Sequence, residues 1–254
     1  MVDLDSGEVR SFALPNWQIK AMAGLANRRI IAVTLDAILL FELTPKGLVP
    51  LESWCIESEG SMLDIAVSDN GSRFAVAAGC RAYIGSTGKR HLEAIELIDC
   101  MAATCASRAG TLGVSGSGSV HFYGTEPRNS MQKLQIDGNA PILSAGLSPD
   151  GRQIVVGDDY ARSILFDVAA GEGIQLDSPS GKPIAIDWNP DSNSFVVLTL
   201  TREVAIYSRS GETLTHLFPT ETGTYYMVGG GWTADGRSVV SGTEHGRILT
   251  WTLS

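Results

Sequence analysis

The residues able to do chemistry are few, and their spacing is poor for it. His91, His121, His216 and His245 are far apart and share no metal-ligand spacing. Cys100 and Cys105 have no second pair to complete a zinc site, and Cys55 and Cys80 stand alone. Ser115-Gly116-Ser117-Gly118-Ser119 has the look of a phosphate loop, but it lacks the Lys-Ser/Thr ending and the following helix that such a loop needs. It reads as a flexible turn. Asp36, Asp99, Asp158, Asp159 and Glu244 fall in turns that could face one end of the molecule. Convergent oxygens of this kind suit a calcium-like ion. The competing reading is that each acid caps backbone groups of its own turn. No catalytic residue, metal ligand or cofactor is assigned.

The elements that carry these residues repeat. Ser68-Asp69-Asn70-Gly71, Ser148-Pro149-Asp150-Gly151, Asn189-Pro190-Asp191-Ser192 and Thr233-Ala234-Asp235-Gly236 are clear copies of one turn, with weaker ones at Leu25-Ala26-Asn27-Arg28 and Ser107-Arg108-Ala109-Gly110. They end at 28, 71, 110, 151, 192 and 236, steps of 43, 39, 41, 41 and 44 residues. Pro presets φ at the second turn position, Asp bonds its own backbone, and Gly accepts positive φ. Each copy joins two apolar runs, as Ile142–Leu147 is joined to Arg152–Val156, which is hairpin chemistry. A third run follows (Ser163–Phe166, Glu203–Tyr207, Ile248–Trp251), then a more polar fourth (Gly173–Leu176, Leu214–Phe218, Met131–Ile136). Continuous apolar inner runs and alternating outer ones fit strands buried on both faces inside and half exposed outside.

A four-strand unit recurring in the low forties predicts an all-β, six-bladed β-propeller of four-stranded antiparallel blades, with residues 1–254 as a single domain. The last unit stops after its third run, Arg247 to Leu253. Glu8 to Leu14 resembles a fourth, so the N-terminal strand is expected to close the ring. An open ring completed by a partner's blade is the alternative.

The pattern of an apolar run, Ser-Pro-Asp-Gly, a second apolar run and a strand ending in an aromatic residue resembles the WD-repeat family. Ile164-Leu165-Phe166-Asp167-Val168 matches the strand-ending Trp-Asp position with Phe in place of Trp, and Ile248-Leu249-Thr250-Trp251-Thr252 keeps the Trp and loses the Asp. No unit carries a full Gly-His together with Trp-Asp, so the repeats are degenerate. The resemblance implies a non-enzymatic scaffold for protein–protein interaction, a subunit of a larger complex. The opposing class is a propeller hydrolase or lactonase with an ion at the channel mouth.

By the same resemblance, the partner face is the one that carries the connections between units and the turns between second and third strands. Those segments hold Trp17, Arg81, Tyr160, Arg162, Arg202, Tyr225, Tyr226, His245 and Arg247. Arg and aromatic side chains dominate interface hot spots. Arg81, Arg162, Arg202 and Arg247 stand at the start of third strands in four units, an incomplete positive ring suited to an acidic or phosphorylated peptide. The structural reading is that each pairs with an acid such as Asp158, Asp159, Glu203 or Glu244.

Composition agrees. Hydrophobic residues make up 44% and charged residues 19%, an ordinary globular balance. The net charge of −9 argues against nucleic-acid binding, and Lys89-Arg90-His91, the longest basic run, reads as a solvated loop. No apolar run reaches the roughly 20 residues of a membrane helix. No leader pattern is visible, and the sparse cysteines read as buried thiols, so the expected compartment is the reducing cytoplasm. Trp54 and Trp188 read as core, and Gly229-Gly230-Gly231 as close backbone packing.

Overall fold

The computed structural model describes residues 18–25, 28–57, 63–68, 71–78, 81–96, 104–108, 111–116, 118–123, 130–136, 140–177, 179–218 and 226–253. The described residues form strands and turns only. Blade one comprises β1 (Ala21–Leu25), β2 (Arg29–Val33), β3 (Ala37–Thr44) and β4 (Gly47–Cys55). Blade two comprises β5 (Leu63–Val67), β6 (Arg73–Ala78), β7 (Arg81–Ser86) and β8 (Lys89–Glu96). Blade three comprises β9 (Thr104–Arg108), β10 (Thr111–Gly116), β11 (Ser119–Tyr123) and β12 (Ser130–Gln135). Blade four comprises β13 (Ile142–Leu147), β14 (Gln153–Asp158), β15 (Ser163–Asp167) and β16 (Gly173–Gln175). Blade five comprises β17 (Pro183–Trp188), β18 (Ser194–Thr199), β19 (Val204–Ser208) and β20 (Thr213–Leu217). A last sheet holds β21 (Met227–Trp232), β22 (Ser238–Thr243) and β23 (Ile248–Thr252). Every sheet is an antiparallel meander in chain order, and the first strands of successive sheets pack side by side from β1 to β21. The arrangement is propeller-like.

The count of complete blades corrects the sequence expectation. Five sheets have four strands and the last has three, so the described residues give five complete blades rather than six. No ring closure between β21 and β1 is seen among them. Glu8 to Leu14, expected to supply the missing strand, lies outside the described residues.

The repeated turns behave as their sequences dictate. Gly71, Gly151 and Gly236 have φ of 64°, 71° and 67°, and the non-glycine ends Arg28 and Ser192 share the geometry at 59° and 64°. Gly110 lies outside the described residues. Where the turn opens on a hydroxyl, that hydroxyl closes the loop: Ser148 Oγ accepts the Gln153 N–H at 2.9 Å, and Thr233 Oγ1 the Ser238 N–H at 3.1 Å.

Blades pack face to face through their second strands, where Phe74–Ala78, Ile154–Asp158 and Phe195–Thr199 are buried throughout. Trp54 packs on Phe74 and Trp188 on Phe195, with ring centroids 5.1 and 4.9 Å apart, so both tryptophans are core as expected. A Cβ on Gly231 would lie 2.5 Å from Asp187 Oδ2, which accepts the Trp232 N–H at 2.9 Å; close packing between blade five and the last sheet excludes a side chain there. Lys89-Arg90-His91 opens β8 and is not a loop: a polar outermost strand needs no apolar pattern. Cys55 is exposed on β4, not buried, because its alternate position faces away from the blade-two core that holds Trp54 and Ile56.

The last sheet differs from the others. Val239, Ser241 and Thr243 are buried toward blade five, but Val240 and Gly242 are half-buried, and Val228, Ile248, Thr250 and Thr252 are exposed. Bonds from Thr243 N to Arg247 O and from Leu253 N to Arg237 O set the ladder phase, so the backbone groups of Ile248, Thr250 and Thr252 point away from β22. The flank of blade one away from blade two is also apolar. It exposes Met22 and bears a cavity of about 680 Å³ lined by Asp36, Ala37, Leu39, Phe41 and Cys55 among others.

Candidate functional site

One device shapes the turn between second and third strands in blades one, four and five and in the last sheet. The residue ending the second strand offers a side-chain oxygen to the N–H that opens the third. Thr34 Oγ1 accepts from Ala37 N at 2.9 Å, Asp158 Oδ1 from Arg162 N at 2.9 Å, Thr199 Oγ1 from Glu203 N at 3.1 Å and Thr243 Oγ1 from Arg247 N at 3.1 Å. The turns and the inter-blade connections are then stitched into one face. Asp159 N donates to Pro141 O at 2.9 Å, Leu200 N to Lys182 O at 2.9 Å and Glu244 N to Tyr226 O at 3.1 Å. Lys182 Nζ reaches Asp159 Oδ1 at 2.5 Å.

This face carries the described members of the expected site. Arg81 opens β7, Tyr160 and Arg162 lie between β14 and β15, and Arg202 lies between β18 and β19. Tyr226 precedes β21, and His245 and Arg247 lie between β22 and β23. Trp17 and Tyr225 lie outside the described residues.

Arg81 and Arg162 are each paired with an acid. Arg81 is salt-bridged to Glu57, whose carboxylate hydrogen bond raises the Arg81 pKa further. Glu57 is itself fixed, because Tyr83 Oη donates to its carbonyl at 2.8 Å and accepts its N–H at 2.9 Å. Arg162 is spent on Asp158: Nε and Nη2 each lie 2.7 Å from Oδ2, and the carboxylate is 1% exposed. Asp158 Oδ1 also takes the Tyr160 N–H at 3.0 Å. The pairing read from the sequence as the structural alternative holds for these two. Arg202 is half-buried with φ of 74°, and Arg247 is exposed.

The acids considered for an ion are held locally. Asp36 Oδ1 accepts from Thr34 Oγ1 at 2.7 Å, and Glu244 Oε1 accepts the Tyr226 N–H at 3.2 Å. Asp158 and Asp159 face Arg162 and Lys182, while Asp99 lies outside the described residues. Among the described residues no group of three or more His, Cys, Asp or Glu is arranged to hold a metal ion.

Two features of the face were missed. The first is a buried carboxylate, Glu203. Its Oε2 accepts the Ser180 N–H at 2.8 Å and Oγ–H at 3.0 Å, and its Oε1 lies 2.6 Å from His216 Nδ1. These are the residue types of a hydrolytic triad without its connectivity: the serine hydroxyl is on the acid and not on the imidazole. The cluster ties the connection after β16 to blade five. Beside it, burial pushes the Tyr207 pKa up, with Glu203 and Asp177 adding to the shift, and the phenol donates to Asp177 O at 2.7 Å. The pairing of β19 with β20 sets His216 beside Glu203, and Ser180 reaches the same carboxylate from the connection after β16.

The second is an asymmetry of apolar exposure. Leu35, Tyr160, Phe218 and Tyr226 are 43, 64, 61 and 55% exposed, and all four lie in turns or connections of this face. Among the described residues, the turns at the opposite end expose no large apolar side chain. Those turns carry Asp150, Asp191, Glu212 and Asp235 instead. Aromatic type flagged Tyr160 and Tyr226 in the sequence; Leu35 and Phe218 gave no signal, since exposure depends on the ends of the blades.

No family model matches this chain, and no curated protein matches it.

Proposed function

We propose that this chain is a WD-repeat-like β-propeller and a non-enzymatic platform for protein partners, a subunit of a larger cytoplasmic assembly that binds through the face described above. The observation that carries the reading is the one-sided exposure of Leu35, Tyr160, Phe218 and Tyr226. Large apolar side chains exposed in the turns of one end, where the described turns of the other end expose none, point to that end as an interaction surface. The test is capture of partners from the native host by the full chain, read by mass spectrometry, beside a Tyr160→Ala/Phe218→Ala/Tyr226→Ala variant of equal melting temperature. Partners retained by the wild type and lost by the variant are expected. An identical partner set for both would overturn the reading. A stoichiometric, tightly held calcium in the purified protein would favour the hydrolase class instead.

The same proposal includes a closed six-bladed ring, with Glu8 to Leu14 as the fourth strand of the last sheet. Two observations support it. The outward backbone groups of Ile248, Thr250 and Thr252 form an edge ready for one more strand. The exposed Val228 and Ile248 on the last sheet and Met22 on blade one are apolar flanks that closure would bury against each other.

A further inference from the structure

Taking the loop-bearing face as the binding face, which is the reading above, we infer that its partner segment is cationic and apolar: a Lys- or Arg-bearing peptide anchored on the exposed aromatic rings of blades four and five and the last sheet. The sequence suggested the opposite charge, and the pairing of Arg81 and Arg162 with acids takes away half of the arginine ring. Arg81 lies on Glu57 and Arg162 on the buried Asp158, so an acidic peptide would have to displace a carboxylate already in place. Lys182 is likewise engaged by Asp159.

What the face presents outward is aromatic, with the Glu244 carboxylate beside Tyr226. The Arg162 guanidinium, 5.6 Å from the Tyr160 ring centroid, lies over one face of a ring that remains largely exposed. Tyr226 is exposed beside Glu244, and Phe218 closes β20. Tyrosine faces attract ammonium and guanidinium groups, and neighbouring carboxylates add to the attraction. A net charge of −9 steers cationic partners toward the protein over distances that local contacts do not reach.

The probe is an immobilised array of short synthetic peptides in three sets: Trp/Leu/Phe with Lys/Arg, the same apolar residues with Asp/Glu, and the same with phosphoserine. The full-length chain is expected to retain the cationic set about tenfold better than either acidic set, and added NaCl to weaken that retention. Tyr160→Ala/Tyr226→Ala should lower it about tenfold, and Asp150→Asn should leave it unchanged. Retention of an acidic or phosphoserine set that is lost in Arg247→Glu overturns this inference and leaves the binding face standing. Cationic retention indifferent to the tyrosine variants, or no retention of any set, overturns the binding face as well.

Discussion

Arg162 and Asp158 close the β14–β15 turn on itself, with Nε and Nη2 both 2.7 Å from Oδ2 while Oδ1 holds the N–H groups of Tyr160 and Arg162. Arg162 therefore supports the fold first. Arg162→Glu would leave a buried carboxylate facing another acid, and breaking a buried pair costs about 3–5 kcal/mol. Asp158→Asn keeps the Oδ1 acceptor and is expected to cost less, about 1–2 kcal/mol. Urea unfolding of the two variants checks the order. An unchanged midpoint for Arg162→Glu would show that the pair contributes nothing.

The turns were legible because their cause is local. A short turn built on Pro, Asp, Asn and Gly carries its own backbone geometry, and Gly71, Gly151, Ser192 and Gly236 all end it with positive φ. The strand gradient was legible for a related reason: a second strand buried on both faces has no polar positions, as Phe195–Thr199 shows. Pairings across blades were not legible. Arg81 meets Glu57 and Arg209 meets Asp150 only because neighbouring blades are laid side by side. The exposure of Phe218 and Cys55 likewise depends on which flank of a blade a neighbour covers.

The shared turn geometry predicts unequal responses at equivalent positions. Gly151 holds φ of 71°, and Gly151→Val forces a β-branched side chain into that region, expected to cost about 1 kcal/mol or more. Ser192 already holds 64° with a side chain, so Ser192→Val should cost less and Ser192→Gly should stabilise by a few tenths to about 1 kcal/mol. Thermal melting of the three variants decides it. Equal shifts for both valine variants would argue against a common geometry.

Asp150 ties blade four to blade five, with Oδ2 2.5 Å from Arg209 Nη2. Partial burial pushes its carboxyl up, but Arg209, the Ser148 hydroxyl and the Arg152 N–H together outweigh burial and hold the pKa down to about 2. The folded value lies below the unfolded value, so this stabilisation is present above pH ~4 and is lost as pH falls toward 2. A third of the side chain is open to solvent, so the contribution is discounted to about 1 kcal/mol or less. Asp150→Asn should therefore narrow the stability gap to wild type as pH drops from 5 to 2, read by thermal melts across about that range. A gap independent of pH would remove Asp150 from the acid response.

Ring closure predicts slow exchange at an edge that is otherwise open. If Glu8 to Leu14 pairs with β23, the amides of Ile248, Thr250 and Thr252 are protected in the full chain and exchange quickly once residues 1–14 are removed. Hydrogen–deuterium exchange of both forms, each checked for β content, is the measurement. Fast exchange of these amides in the full chain would leave the edge free and favour an open ring.

The binding face predicts a contrast between two ends of one molecule. Phe218 and Tyr226 are both exposed on this face, so Phe218→Ala/Tyr226→Ala removes two rings without touching a buried side chain. Arg162 is unsuited to this test because its loss reports on the turn. At the other end, Asp150 and Asp235 accept the N–H groups of Arg152 and Arg237 at 3.1 and 3.0 Å, a bond that Asn can keep. The double Asp→Asn variant is therefore the matched control. For a captured partner, the first variant should lose about 2 kcal/mol or more of binding, the cost of removing hot-spot contacts. The control should bind within about 0.5 kcal/mol of wild type. Affinity and melting temperature are measured on the same preparations, so that lost binding is separated from lost fold. Normal binding by the first variant and weak binding by the control would place the partner on the opposite end, where the Asp-bearing turns lie.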